Sequence, residues 1–141
     1  MPANAAIYLP HEELDLAAAA PWIQVVARPA PGAEHFDCLV DGDAVRFNVM
    51  TGAALTQHLR GLRGWLATQD LHPDVRTPMD AAVTRIRTTL GLRTDREFED
   101  NHRIWECLFA VAGHYDGFVF TYNSVLLPGG EAVCGPLREG R

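Results

Sequence analysis

An α+β domain is the fold class the sequence predicts, and three patterns carry that expectation. Apolar residues alternate through most of the first 50 positions, recur at helical spacing through the middle, and alternate again beyond Gly117. Strands, then three helices, then strands joined by hairpin turns imply a mainly antiparallel sheet of about five to six strands with three helices on one face. A chain of 141 residues matches the common size of one core, so 1–141 is read as a single domain.

The N-terminal strand material is Ala6 to Leu9, Trp22 to Arg28, His35 to Val40 and Ala44 to Met50. The last two form the clearest hairpin. Phe36, Cys38 and Val40 alternate with His35, Asp37 and Leu39, while Val45, Phe47 and Val49 alternate with Arg46, Asn48 and Met50. Their connection, Asp41-Gly42-Asp43, carries the Asp-Gly pair that accepts the positive φ of a tight turn. Ahead of it, His11 to Ala20 reads as one short helix packed by Leu14 and Leu16 and closed by Pro21.

In the middle, Leu55, Leu59, Leu62 and Leu66 make one apolar stripe behind Thr51, with Trp65 at its edge, which predicts a helix over Thr51 to Thr68. Thr77-Pro78-Met79-Asp80 has a capping hydroxyl, a proline at the first helical position and an acid in the first turn. It predicts a second helix with Met79, Ala82, Val83, Ile86 and Leu90 on one face, ended by Gly91. Thr94-Asp95-Arg96-Glu97 matches the capping box, so a third helix is expected from there to about Gly113. The tail reads as a meander of Phe118 to Tyr122, Val125 to Leu127 and Glu131 to Cys134.

Composition narrows the function classes. The net charge is -6, and only residues 51–103, with eight arginines against seven acids, could offer a basic patch. Nucleic acid is therefore a poor partner, since phosphate neutralisation needs a basic face. All twelve basic residues are arginine, which removes lysine Schiff-base chemistry and the P-loop lysine. Cys38, Cys107 and Cys134 lie far apart without a CxxC, which argues against a disulfide framework and for a reduced, cytoplasmic setting. No apolar run reaches the length of a membrane span, and the N-terminus carries no basic leader.

No motif is both specific and complete. The most suggestive is Glu99, His102 and Glu106, which on one helix would place a Glu-x-x-His pair and a further carboxylate on one face, as carboxylate-rich metal sites require. A solvated polar helix face explains the same spacing more simply. His35-x-Asp37 on a strand puts both side chains on one side, the partial pattern of a facial triad, and is the other candidate site. Ser124 is the only serine and lacks a nucleophile elbow, while the cysteines fall at apolar positions, so a hydrolase has little support. Catalytic residues stay unassigned, and no cofactor is expected.

For binding, Arg60 and Arg63 could meet an acidic partner, and Trp22 and Tyr122 could rim an interface; solvated helix faces and core packing are the plainer alternatives. The run from Trp105 to Phe120, WECLFAVAGHYDGFVF, followed by Asn123-Ser-Val-Leu-Leu and a glycine turn, resembles the ending of small bacterial α+β domains of unassigned function. The resemblance covers the last third of the chain. It implies a helix, an Asp-Gly-aromatic strand and a hairpin, and no catalytic residue; toxin immunity proteins are a looser analogy. The leading expectation is a bacterial, non-enzymatic domain that binds a protein partner or itself, with a homodimer plausible. The alternative is a small metal- or ligand-binding enzyme or sensor whose site lies between sheet and helices.

Overall fold

A computed structural model describes residues 2–27 and 34–139. Four strands precede the helices: β1 (Ala6–Leu9), β2 (Ile23–Ala27), β3 (His35–Val40) and β4 (Asp43–Met50). Then come α1 (Gly52–Ala67), α2 (Pro73–Thr84), β5 (Thr88–Arg93) and α3 (His102–His114). The chain closes with β6 (Phe118–Thr121), β7 (Ser124–Leu126), β8 (Ala132–Cys134) and the single turn α4 (Pro136–Glu139). The α+β class and the antiparallel sheet are as expected. The sheet has eight strands instead of five to six, in the order β2-β3-β4-β5-β1-β6-β7-β8.

β1 holds the centre, hydrogen-bonded to β5 on one side and β6 on the other. Because successive side chains of a strand point to opposite faces, Ile7 and Leu9 feed one core and Tyr8 another. The first core packs Ile104, Cys107, Leu108, Val111 and Ala112 of α3 over Ile7, Leu9, Phe47, Leu90 and Val119. The second packs Leu55, Leu59, Leu62 and Leu66 of α1 and Met79 and Val83 of α2 over Tyr8, Phe118 and Val125. The helices therefore cover both faces of the sheet, a correction to the expectation of one face. The reason is connectivity. β4 returns as its neighbour β5 after α1 and α2, whereas α3 carries the chain from β5 across β1 to β6, on the opposite side.

β5 stands where the apolar spacing predicts the end of the second helix. Ile86 and Leu90 continue the helical stripe by accident, and Gly91-Leu92 imitates a glycine cap. The β-branched pair Thr88-Thr89, with Leu90 and Leu92 alternating toward the α3 core, obeys the period of a strand instead. The second helix starts at Pro73: His72 precedes it, its Nδ1 accepts from the Asp74 N–H at 3.1 Å, and Pro73 occupies the first position. Thr77-Pro78 thus lies inside the helix. The N-terminal helix expected over His11 to Ala20 is only a 3₁₀ turn, Leu16–Ala18, which pins the fully buried Leu16 to the first core.

Candidate functional site

The third helix begins at Asn101, seven residues later than the capping box suggests. Thr94 spends its hydroxyl elsewhere, donating to the Ala44 carbonyl at 3.0 Å and accepting from the Arg96 N–H at 3.3 Å, so the segment turns without becoming helical. Asn101 is the true N-cap, its side-chain oxygen accepting from the Arg103 N–H at 3.1 Å. The same side chain donates through Nδ2 to the Val40 carbonyl at 3.0 Å and to Asp43 Oδ2 at 2.9 Å. One buried amide therefore starts α3 and ties it to the β3–β4 hairpin.

That hairpin turns through Asp41 and Gly42 with φ of 48° and 88°, both in the left-handed region, as a two-residue turn of right-handed twist requires. The turn brings Asp41 and Asp43 to the start of α3. Between them lies an open cleft of about 480 Å³ lined by Asp41, Asp43, Asp100, Asn101, His102, Arg103 and Glu106. Asp43 is doubly held, by Asn101 on one oxygen and by Arg96 Nε at 3.2 Å on the other. Glu106 is held by Arg103 at 2.7 Å and approached by His102 at 3.7 Å. Arg103 also lies 4.4 Å above the Trp22 ring, and the Trp22 carbonyl accepts from the Asp41 N–H at 3.0 Å, so Trp22 borders the cleft. Its indole N–H is buried and meets no acceptor among the described residues. Asp41 and Asp100 keep carboxylates without a cationic partner among the described residues.

The structure thus brings together Trp22, His102 and Glu106, which the sequence proposed separately as interface and metal candidates. Glu99 falls outside the helix, in the exposed turn before Asn101, so the Glu-x-x-His pair does not share a helical face. Among the described residues, no group of three or more His, Cys, Asp and Glu side chains is placed to hold a metal ion. Arg60 and Arg63 are exposed on α1, across the sheet from the cleft, and form no ion pair among the described residues. Tyr122 sits in the β6–β7 turn at φ 50°, its ring 5.9 Å from Phe98 and 6.2 Å from Trp105 between centroids, where it closes an aromatic cluster beside α3.

His35 and Asp37 do share one face of β3, with His35 Nε2 3.4 Å from Asp37 Oδ2. Arg46 on β4 dominates that carboxylate, donating from Nε at 2.8 Å, and its hydrogen bond holds Asp37 below the usual carboxylate range. The cysteines are buried and unpaired. Burial pushes the Cys38 thiol up to about 11 and raises those of Cys107 and Cys134 as well, the opposite of what a nucleophile needs.

Sequence reasoning missed Asp41, Asp43, Asp100 and Asn101 as cleft residues. Asp41 and Asp43 also suit a tight turn, and Thr94-Asp95-Arg96-Glu97 offers a capping pattern ahead of Asn101. An Asn directly before the apolar run Ile104, Cys107, Leu108, Val111 was the signal that could have placed the helix and, with it, the cleft. No family model, curated protein or solved structure matches the chain.

Proposed function

We propose that this chain is a non-enzymatic protein-interaction module whose docking site is the acidic cleft between the β3–β4 turn and the start of α3, and that its partner presents an arginine- or lysine-bearing segment there. The observation that carries this reading is the unequal pairing of the cleft's acids. Asp43 and Glu106 are fixed by Arg96 and Arg103, while Asp41 and Asp100 are left exposed and uncompensated beside them. Fixed carboxylates shape the cleft, and those without a cation, Asp100 accepting among the described residues only from the Glu97 N–H at 3.4 Å, are available to a guanidinium or ammonium from outside. Beside the cleft, Arg103 stacks on the Trp22 ring, a pairing of two residue types that often anchor interfaces.

The test is an NMR titration of the full chain with an eight-residue peptide alternating Arg and Ser, at about 0.15 M salt to screen the general attraction of an acidic protein. The expected result is shifts confined to Asp41, Asp100, His102 and Glu106, lost in Asp41→Asn/Asp100→Asn and kept in the control Asp70→Asn, which removes an exposed acid elsewhere. Equal weakening by the control variant would reduce the binding to net charge. Native mass spectrometry of the protein purified from its own host then reports a second polypeptide or a homodimer. A catalytic turnover that depends on Glu99 or His102 would overturn the module in favour of the enzyme or sensor.

A further inference from the structure

The helices leave part of the sheet bare. α1 and α2 pack over Tyr8, Phe118, Phe120, Val125 and Val133, and among the described residues Met50 is the one apolar side chain of the β3–β4 hairpin that joins this core. On that same face the hairpin shows Asp37, Arg46 and Asn48, and β5 shows Arg93, all partly or wholly exposed. The register makes one row of three of them: Asp37 stands opposite Arg46 across β3 and β4, and Arg46 stands opposite Arg93 across β4 and β5.

Like charges directly opposite one another across a ladder are unfavourable. Asp37 neutralises Arg46 through two contacts, at 2.8 and 3.5 Å, but Arg93 has no ion pair or hydrogen-bond partner for its guanidinium among the described residues. The neighbouring row contains His35, Asn48 and Gly91. A methyl group added at Gly91 would meet only Asn48 Cβ, 4.0 Å away, so the space beside Arg93 is open down to the backbone. The result is a bare strip of sheet with one spare guanidinium, a second one shared with Asp37, and donors at Asn48 and His35 alongside.

We infer that this uncovered face of β3, β4 and β5 docks an acidic segment of a partner protein, with Arg93 gripping a carboxylate and Arg46 turning from Asp37 to share it. Guanidinium forks match carboxylates two bonds at a time, and the open floor at Gly91 admits an extended chain. The surface lies across the sheet from the acidic cleft and stands independently of it. It also gives His35 and Asp37, which the sequence offered as a catalytic pair, a different role: Asp37 is the internal carboxylate that an incoming one displaces.

The experiment is fluorescence anisotropy on the full chain at about 0.15 M salt with a labelled eight-residue peptide alternating Glu and Ser. With the chain at net charge -6, general attraction cannot bring this peptide in, so binding reports a local site. Saturable binding is expected, weakened about tenfold or more by Arg93→Gln and abolished by Arg93→Glu. Asp37→Asn, which releases Arg46, is expected to tighten it, while Asp41→Asn in the cleft leaves it unchanged. Circular dichroism of each variant checks that these exposed substitutions preserve the fold. Absence of saturable binding, or equal affinity in Arg93→Gln, overturns the inference. So does displacement of the peptide by an equal concentration of inorganic phosphate, which would make a free anion the ligand.

Discussion

Replacing Asn101 tests the junction on which the cleft depends. Asn101→Ala removes the N-cap of α3, worth about 1 kcal/mol. It also removes the donor to the Val40 carbonyl, worth about 1 kcal/mol, and the bond to the Asp43 carboxylate, held to about 1 kcal/mol because Asp43 is partly solvated. The total is about 3 kcal/mol, which for a chain of this length lowers Tm by about 10 °C. Asn101→Asp separates the contributions. A carboxylate caps as well as an amide and suits the helix dipole, but it cannot donate to Val40 and it faces Asp43 at hydrogen-bonding distance. Two like charges about 4 Å apart repel by about 1 kcal/mol in water and about 4 kcal/mol near a protein surface. The Asp variant should therefore be no more stable than the Ala variant at neutral pH and should recover relative to it on acidification, as one of the two carboxyls takes a proton. Urea denaturation of both variants at neutral and acid pH measures this. An Ala variant destabilised by less than about 1 kcal/mol, or an Asp variant as stable as wild type at neutral pH, would refute the account of Asn101 as clasp.

Three further outcomes follow from the cores. Burial of Tyr8 raises its phenol from 10.0 to about 12; above pH 10 the unfolded chain gives up this proton first, so stability falls as pH rises from 10 to 12, by about 1.4 kcal/mol per unit. Stability measured by denaturation at alkaline pH should therefore fall less steeply in Tyr8→Phe than in wild type by about that amount, the buried thiols supplying the slope that remains. Gly117→Ala would press its Cβ into the Tyr8 carbonyl oxygen and Leu9 Cδ2, so thermal unfolding should show a loss of about 2 kcal/mol or more. Cys38, Cys107 and Cys134 are buried thiols with raised pKa values, so a thiol reagent at pH 8 should leave the native chain unmodified and label all three after denaturation.

Where a sequence pattern had one interpretation, it gave the structure closely. β1 matches Ala6 to Leu9, the β3–β4 hairpin turns at Asp-Gly, and the leucine stripe of α1 is buried along its whole length. The alternation of Phe118, Phe120 and Tyr122 followed by the Asn123-Ser124 turn predicts an aromatic strand and a hairpin, and β6 and β7 have that layout. Errors fell where two local signals competed. Thr94-x-x-Glu97 and Thr77-Pro78 both imitate helix starts, yet Asn101 and His72 hold those positions because each makes its side-chain bond to the first-turn backbone. The cleft was illegible for a further reason: its acids come from residues 41–43 and 100–106, and only tertiary pairing brings such distant segments together.

The missed strand decided most of what the sequence left open. With β5 read as helix, the chain offers three helices to one face of a smaller sheet, and the polar side chains of the β3–β4 hairpin acquire no particular meaning. With β5 in place between β4 and β1, α1–α2 connect neighbouring strands over one face and α3 crosses β1 over the other. α3 then starts beside the hairpin tip and borders the acidic cleft, while α1 and α2 pack over β1 and β6 through β8 and, among the described residues, meet the apolar side chains of the hairpin only at Met50, at the end of β4. Arg93 belongs to β5 itself, so the strand that separates the helices also supplies the unpaired guanidinium of the bare face. An acidic recess and an arginine-bearing strip thus arise on opposite faces of one hairpin, as consequences of a single strand insertion. Substitutions on one should leave binding at the other intact, as expected for distant sites without shared partners. Double variants carrying Asp100→Asn and Arg93→Gln should accordingly lose both peptides additively. A coupling between the two larger than about 0.5 kcal/mol would show instead that β4 transmits strain from one face to the other.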